Sequence, residues 1–459
     1  MAGIGFELRR IHTGHSYTSM LRSFGAAAAV TSGPWLIAVV TLLGVSLWGA
    51  QLLPDPLSLN HFQACITWLF FVSLLIAGPL QLTFTRFVSD RLYEERPELI
   101  VPNLLGAVAV VAVGASGVSV CCWHLFLEVD VAARCFLAGS LASLCCVWIV
   151  ATALSALRQY VAVLCCFFFA YVATLGAILL WAPLGLPGLL AGFAFGQGVL
   201  LIGALRVVGR YCPGSGGVRL DFLMKDGRYL DLAAVGFFLN AGVWIDKVLF
   251  WFAADTGRRV LGPLHASEVY DLPFFLAYLS IIPSLSVFLV RVETDFADRH
   301  QAFYDAVNRG GSLRVIEPLR ELMVDSARRG LAEICRVQAL VFVLCVIVAE
   351  PALRLLGLSV LHRPLFLIDT VAVGMQALLL SVVSMFFYLD RRRTVLILGI
   401  ILTVANGTLT WLSQQLSAAY HGYGFAVAVA LTTLVALFWL TRAFATLVQD
   451  TFVMQPVAK

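Results

Sequence analysis

Twelve runs of about 20 apolar residues, joined by short polar connections, constrain this chain more than any other feature. A helix of that length spans the roughly 30 Å of bilayer hydrocarbon. In lipid the backbone must satisfy its own polar groups, so such runs are helices. They lie at about 24–50, 61–85, 102–126, 131–155, 161–181, 186–208, 232–253, 272–290, 334–356, 364–388, 394–415 and 421–441. Pro183, Gly185 and Pro187 separate the fifth from the sixth. Charged residues are 13% of the sequence, against about 25% in soluble domains, and the mean hydropathy is +0.91. The expected fold class is an all-α polytopic membrane protein, with little mass outside the bilayer and no room for a large soluble catalytic domain. The first run, Phe24 to Ala50, is too long for the core of a signal peptide and reads as an uncleaved span.

The cations orient these spans, because Lys and Arg concentrate in cytoplasmic connections. With the N-terminus inside, twenty-five of the 31 fall in inside segments. The outside segments hold Arg134, Arg258, Arg259, Arg354 and Arg363, and Lys247 is the remaining one. A missed span would invert every later connection, so both termini are expected in the cytoplasm. The net charge of +4 arises from this one-sided loading and is no nucleic-acid signature.

The connection after the sixth span divides the chain into a six-helix bundle at 1–210, a cytoplasmic linker at 211–231 and a second six-helix bundle at 232–459. Weak internal symmetry is common in transporters. The first span reads Thr31-Ser-Gly-Pro-Trp35 and the seventh Asn240-Ala-Gly-Val-Trp244, with Gly and Trp at the same spacing. The second and eighth end in Arg86 to Asp90 and Arg291 to Asp295, each after a proline, Pro79 or Pro283. An even number of spans per half puts both halves in the same orientation, as parallel pseudo-repeats about an axis along the membrane normal. The second half also carries an amphipathic cytoplasmic segment, 291–336. Phe296, Phe303 and Val307 share one helical face, Asn308-Arg-Gly-Gly311 breaks the helix, and Ile316, Leu319, Met323, Ala327, Leu331 and Ile334 resume it. It could lie on the membrane or dock a partner.

Motifs for enzymatic chemistry are missing from the sequence. It contains no GxxxxGK[ST], no HExxH, no zinc spacing and no GxSxG. The adjacent cysteine pairs Cys121–Cys122, Cys145–Cys146 and Cys165–Cys166 read as small apolar packers. His265, Glu268 and Asp271 read as a solvated outer loop rather than a catalytic cluster. Gly185, Gly188, Gly192, Gly196 and Gly203 read as a close-packing face of the sixth span.

The seventh span carries the best candidate site. Asp246 and Lys247 sit in the apolar stretch Leu232–Ala253. A charge at membrane depth costs about 2.5–3.5 kcal/mol on insertion scales and usually faces a cavity or a partner. Neighbouring residues point about 100° apart on a helix, so the two are not expected simply to neutralise each other. Asn240, Trp244 and Lys247 share a face that Trp251 extends, and an aromatic plane beside hydrogen-bonding groups suits a sugar ring.

The strings Met1-Ala-Gly-Ile-Gly-Phe-Glu-Leu-Arg9, Ser32-Gly-Pro-Trp35, Trp244-Ile-Asp-Lys247, Tyr270-Asp-Leu-Pro-Phe-Phe-Leu-Ala-Tyr278 and Ile282-Pro-Ser-Leu-Ser-Val-Phe-Leu-Val-Arg-Val-Glu-Thr-Asp-Phe296 resemble the PelG family of Pel exopolysaccharide transporters. The resemblance implies the fold of the multidrug/oligosaccharidyl-lipid/polysaccharide exporter superfamily, two six-helix bundles facing a central cavity. It also implies an N-acetylgalactosamine-rich polymer as cargo for biofilm matrix and a location in the bacterial inner membrane. The implied partners are the cytosolic glycosyltransferase PelF, with PelD and PelE.

A non-enzymatic polysaccharide exporter without metal or cofactor is therefore expected. Trp35, Asn240, Trp244, Asp246, Lys247 and Trp251 would lie along the substrate path, with Tyr270 and Asp271 at its outer mouth. Arg86, Asp90, Arg291, Glu293 and Asp295 would form a cytoplasmic gate. The residues alone also admit a drug or cation antiporter, a lipid-linked sugar flippase, or a non-conducting scaffold for a glycosyltransferase.

Overall fold

The computed structural model describes residues 17–49, 51–53, 55, 57–157, 159–212, 217–224, 229–355, 359 and 362–453. The string Met1 to Arg9 lies outside them. Fourteen helices are described: α1 Tyr17–Gly44, α2 Leu57–Tyr93, α3 Ile100–Cys122, α4 Val131–Ala156, α5 Tyr160–Trp181, α6 Leu186–Tyr211, α7 Leu230–Phe252, α8 Glu268–Leu279, α9 Ile282–Val290, α10 Ala297–Asn308, α11 Leu313–Leu355, α12 Arg363–Tyr388, α13 Arg392–Leu416 and α14 Tyr423–Val453. Eleven helical stretches are long and apolar enough to cross a membrane, or up to twelve if the bent pair Phe24–Val30 and Ser32–Gly44 counts as one span. The bend falls just before Pro34, whose ring cannot donate to the Val30 carbonyl. The all-α polytopic class is thus borne out.

The chain packs as two compact units, Ser32–Glu268 and Met1–Thr31 with Val269–Lys459. The unit boundary falls at Glu268, later than the polar connection 211–231, because α7 packs on α2. At their crossing, a Cβ on Gly236 would lie 2.1 Å from the Gly78 carbonyl oxygen. Only two glycines let the backbones come so close. The α5–α6 pair uses the same device. A Cβ on Gly188, Gly192 or Gly196 would come within 1.9 Å of Trp181 O, 2.6 Å of Ile178 N or 1.7 Å of Thr174 Oγ1. The glycine face of the sixth span is therefore a packing face at these three positions. Gly185 instead sits at φ +72° before α6, a left-handed conformation that favours glycine.

The described part of the polar connection is fixed to this first unit. Asn103 Nδ2 donates to Asp221 Oδ2 (2.9 Å), and Asp221 N donates to Asn103 Oδ1 (2.7 Å). Phe222 is fully buried against Phe84 and Phe87. The outer loop expected around His265 is instead a two-stranded antiparallel hairpin, β1 Arg258–Leu261 with β2 Leu264–Ala266.

In the second unit, a two-residue turn at 280–281 interrupts the helix of the eighth span. Helix α9 begins afresh at Ile282 with Pro283 in its first turn, and Arg291–Phe296 winds as a π-helix before α10. The ninth span is not a separate helix. Helix α11 runs 43 residues without interruption, from the amphipathic segment through the apolar run. The expected break at 308–311 is present, with Gly310 at φ +70°. Phe296, Phe303, Ile316, Met323, Ala327 and Ile334 are all buried. The apolar face of the segment is thus spent on packing inside its own unit, while Glu317, Glu321, Asp325 and Arg328 stay exposed.

Candidate functional site

The polar face of α7 lies against α2. Asp246 is fully buried and Lys247 is 6% exposed. The lysine folds back so that Nζ donates to Asp246 Oδ2 (2.9 Å), Asp246 Oδ1 (3.2 Å) and the Val243 carbonyl (2.9 Å). The expectation that these two charges would not pair is corrected here. Their Cβ atoms diverge around the helix, but the four-carbon lysine stem is long enough to return its ammonium to the adjacent carboxylate. Pairing and hydrogen bonding are what make buried charges tolerable.

An aromatic cluster surrounds this pair. Trp251, 1% exposed, meets Trp68 at 4.7 Å, Phe71 at 5.8 Å and Trp244 at 6.3 Å between ring centroids. Lys247 Nζ lies 6.0 Å from the Trp244 ring, the outer range of a cation–π contact. The hairpin closes the cluster, since Trp68 Nε1 donates to the His265 carbonyl (2.8 Å) and the His265 ring packs on Phe252. Arg258 pairs with Glu268, and Arg259 with Glu128 at 2.8 Å. Along Asn240, Trp244, Lys247 and Trp251 the burial is graded. The Trp251 end is core, while Asn240 and Trp244 are half-buried. Asn240 Nδ2 donates to the Gly236 carbonyl at 2.8 Å, and this amide is the group nearest a Cβ placed on Gly78. Trp35, in the same unit, is half-buried.

Each Arg-x-x-x-Asp pair forms an ion pair within its own unit. Arg86 Nε lies 3.0 Å from Asp90 Oδ1, and Tyr229 OH donates to Asp90 Oδ2 at 2.6 Å. The hydrogen bond to Asp90 and then partial burial push the Tyr229 phenol above its ordinary value. It stays a protonated donor at neutral pH. In the other unit, Arg291 bonds Asp295 (2.8 Å) and, through Nε and Nη2, both carboxylate oxygens of Glu333 (2.6 and 3.3 Å). Glu293 does not join that cluster. It is buried, and its Oε2 accepts from Tyr388 OH at 2.9 Å. Tyr270 is fully buried and stacks on Phe274, whereas Asp271 is half-buried.

Sequence reasoning missed Trp68, Phe71, Tyr229, Glu333 and Tyr388, the partners in these clusters. Nothing in their spacing marks them, since Trp68 and Phe71 come from α2, Tyr229 from the residue before α7, Glu333 from α11 and Tyr388 from α12. It also missed Asp369, fully buried on α12. The signal was available there, because Asp369 is an acidic residue inside an apolar run, as Asp246 is. Among the described residues, no group of three or more His, Cys, Asp or Glu gathers as metal ligands would.

Two compact units built from apolar spans, with charges paired inside, define a multi-pass membrane protein. Several solved structures share its fold. A multidrug resistance MATE family transporter of the MOP superfamily, in an outward-facing conformation, superimposes with TM-score 0.62 at 12% identity, covering 92% of this chain and 96% of that one. A MOP superfamily transporter from Pyrococcus furiosus superimposes with TM-score 0.60 at 12% identity over 92% and 96%. The inward-facing MATE conformation gives 0.59 at 12% over 92% and 95%. At such identities the likeness establishes the fold. The sequence matches the family described as "PelG: Putative exopolysaccharide Exporter (EPS-E)" over residues 1–452, and the chain belongs to that family. No curated protein matches it.

Proposed function

We propose that this transporter moves a Pel-type, N-acetylgalactosamine-rich exopolysaccharide across the bacterial inner membrane to supply biofilm matrix. The family match along residues 1–452 carries this reading. The chain acts as a conduit rather than an enzyme, with both termini in the cytoplasm, as the one-sided cations favour. Trp35, Asn240 and Trp244 contact the sugar, because half-buried aromatic and amide groups retain a face for a ligand. Asp246, Lys247 and Trp251 support that row from beneath. Tyr270 and Asp271 belong to the outer mouth. Arg86–Asp90 and Arg291–Asp295, with Glu293, form the inner gate. The two halves 1–210 and 232–459 arose by duplication. The exposed polar side of α10 and α11 receives the glycosyltransferase PelF, with PelD and PelE in the same assembly.

The test is a secretion assay, with polymer synthesis running, in cells carrying Asn240→Ala and Trp244→Ala. The expected result is lower extracellular polymer at unchanged protein abundance. Secretion and abundance both at wild-type level in the two variants would remove α7 from the path.

A further inference from the structure

A cleft between α13 and α14, at their arginine-bearing end, has no part in the path proposed above. It is an open cleft of about 300 Å³, the low end of ligand-site volumes. Phe386 of α12, 1% exposed, floors it. Arg391 and Thr394 line one wall, and Trp439, Arg442 and Thr446 the other.

The charge at this end is unbalanced. Arg391, Arg392, Arg393 and Arg442 outnumber Asp390 and Asp450. Arg391 pairs with Asp450, which also accepts from Thr446 Oγ1 at 2.8 Å, and Arg392 pairs with Asp390 at 2.8 Å. The Arg442 guanidinium lies 4.9 Å over the Phe438 ring and meets no carboxylate among the described residues. Beside the cleft, the outward sides of both helices turn apolar. Ile397 and Ile400 on α13, and Phe438 and Leu434 on α14, are all exposed.

Guanidinium and hydroxyl groups, then an indole, then bare aliphatic surface, is the polarity sequence of a phospholipid read from headgroup to tail. We propose that this cleft binds an anionic membrane phospholipid by its phosphate. Arg442 supplies most of the attraction, because Asp450 already neutralises Arg391 in part. A guanidinium matches phosphate oxygens with two parallel donors, and basic pockets between spanning helices suit anionic headgroups. Thr394 adds a hydroxyl donor, while the Thr446 hydroxyl is already spent on Asp450. Trp439 sits at the glycerol level, where amphipathic rings collect, and the acyl chains run along Ile397, Ile400, Phe438 and Leu434.

The test is native mass spectrometry of the full-length protein in detergent, titrated separately with phosphatidylglycerol, phosphatidylethanolamine and inorganic phosphate. Phosphatidylglycerol is expected to be retained by the wild type, with retention weakened about tenfold in Arg442→Gln. Ala443→Phe, which fills the cleft without changing charge, should lose it as well, and this variant carries the test if Arg442→Gln does not accumulate. Arg393→Gln, outside the lining, should leave retention unchanged. Equal retention in wild type and the cleft variants would overturn the site. So would phosphatidylethanolamine binding as tightly, or inorganic phosphate displacing the lipid, which would mark a free-anion site.

Discussion

Lys247→Met is expected to cost about 3–5 kcal/mol of stability, the usual consequence of removing one partner from a buried ion pair. The side chain of Asp246 is wholly buried, and two hydrogen bonds from Lys247 Nζ end on its carboxylate. Without the ammonium, the Asp246 carboxylate loses these two bonds in a low-dielectric interior, where a charge depends on its partners. The paired variant Asp246→Leu/Lys247→Met should recover most of that loss, because it removes both charges together and apolar replacements of buried pairs are often neutral. Apparent melting temperature in detergent and abundance in the membrane read both effects, and the double-mutant cycle isolates the coupling. Single variants that melt with the wild type would show that the pair contributes nothing to the fold. A double variant that folds but does not secrete would separate the charges' role in transport from their role in stability.

Gly236→Ala should also be severe, although it adds only one methyl group. The new Cβ would stand 2.1 Å from the Gly78 carbonyl oxygen and 2.7 Å from the Gly78 carbonyl carbon. Both are backbone atoms, so α2 and α7 must separate. Overpacking of this kind costs about 1–3 kcal/mol, occasionally more. Here it would also pull Trp244 and Trp251 away from Trp68 and Phe71. Gly78→Ala is expected to be milder, since its closest clash, at 2.3 Å, is with the movable amide end of Asn240. The order Gly236→Ala below Gly78→Ala below wild type, in apparent melting temperature, is the check. The reverse order would contradict the crossing geometry.

The sequence carried the spans clearly because lipid leaves helices little freedom. Long apolar runs and one-sided arginines are strong, redundant signals. The amphipathic stripe from Ile316 to Ile334 was equally legible, since helical spacing repeats along it. What it could not show was that this helix continues unbroken into the ninth span, because a change from polar to apolar does not mark a change of direction. Asp246 and Lys247 stood out for the same reason as the spans, a charge where charge is costly. Their direct pairing was hidden by an argument from Cβ directions that ignored the reach of the lysine stem. The aromatic partners Trp68 and Phe71 were illegible because one more aromatic residue in an apolar run carries no mark of what it packs against. The closeness of α2 and α7 was written only as two glycines, Gly78 and Gly236, among the 37 in the chain.

The most direct measurement compares polymer inside and outside cells that synthesise it, with and without this chain. The account predicts that extracellular polymer disappears without the chain, that material accumulates on the cytoplasmic side or synthesis stalls, and that the wild-type protein restores release. Undiminished extracellular polymer in its absence, with synthesis otherwise intact, would contradict it.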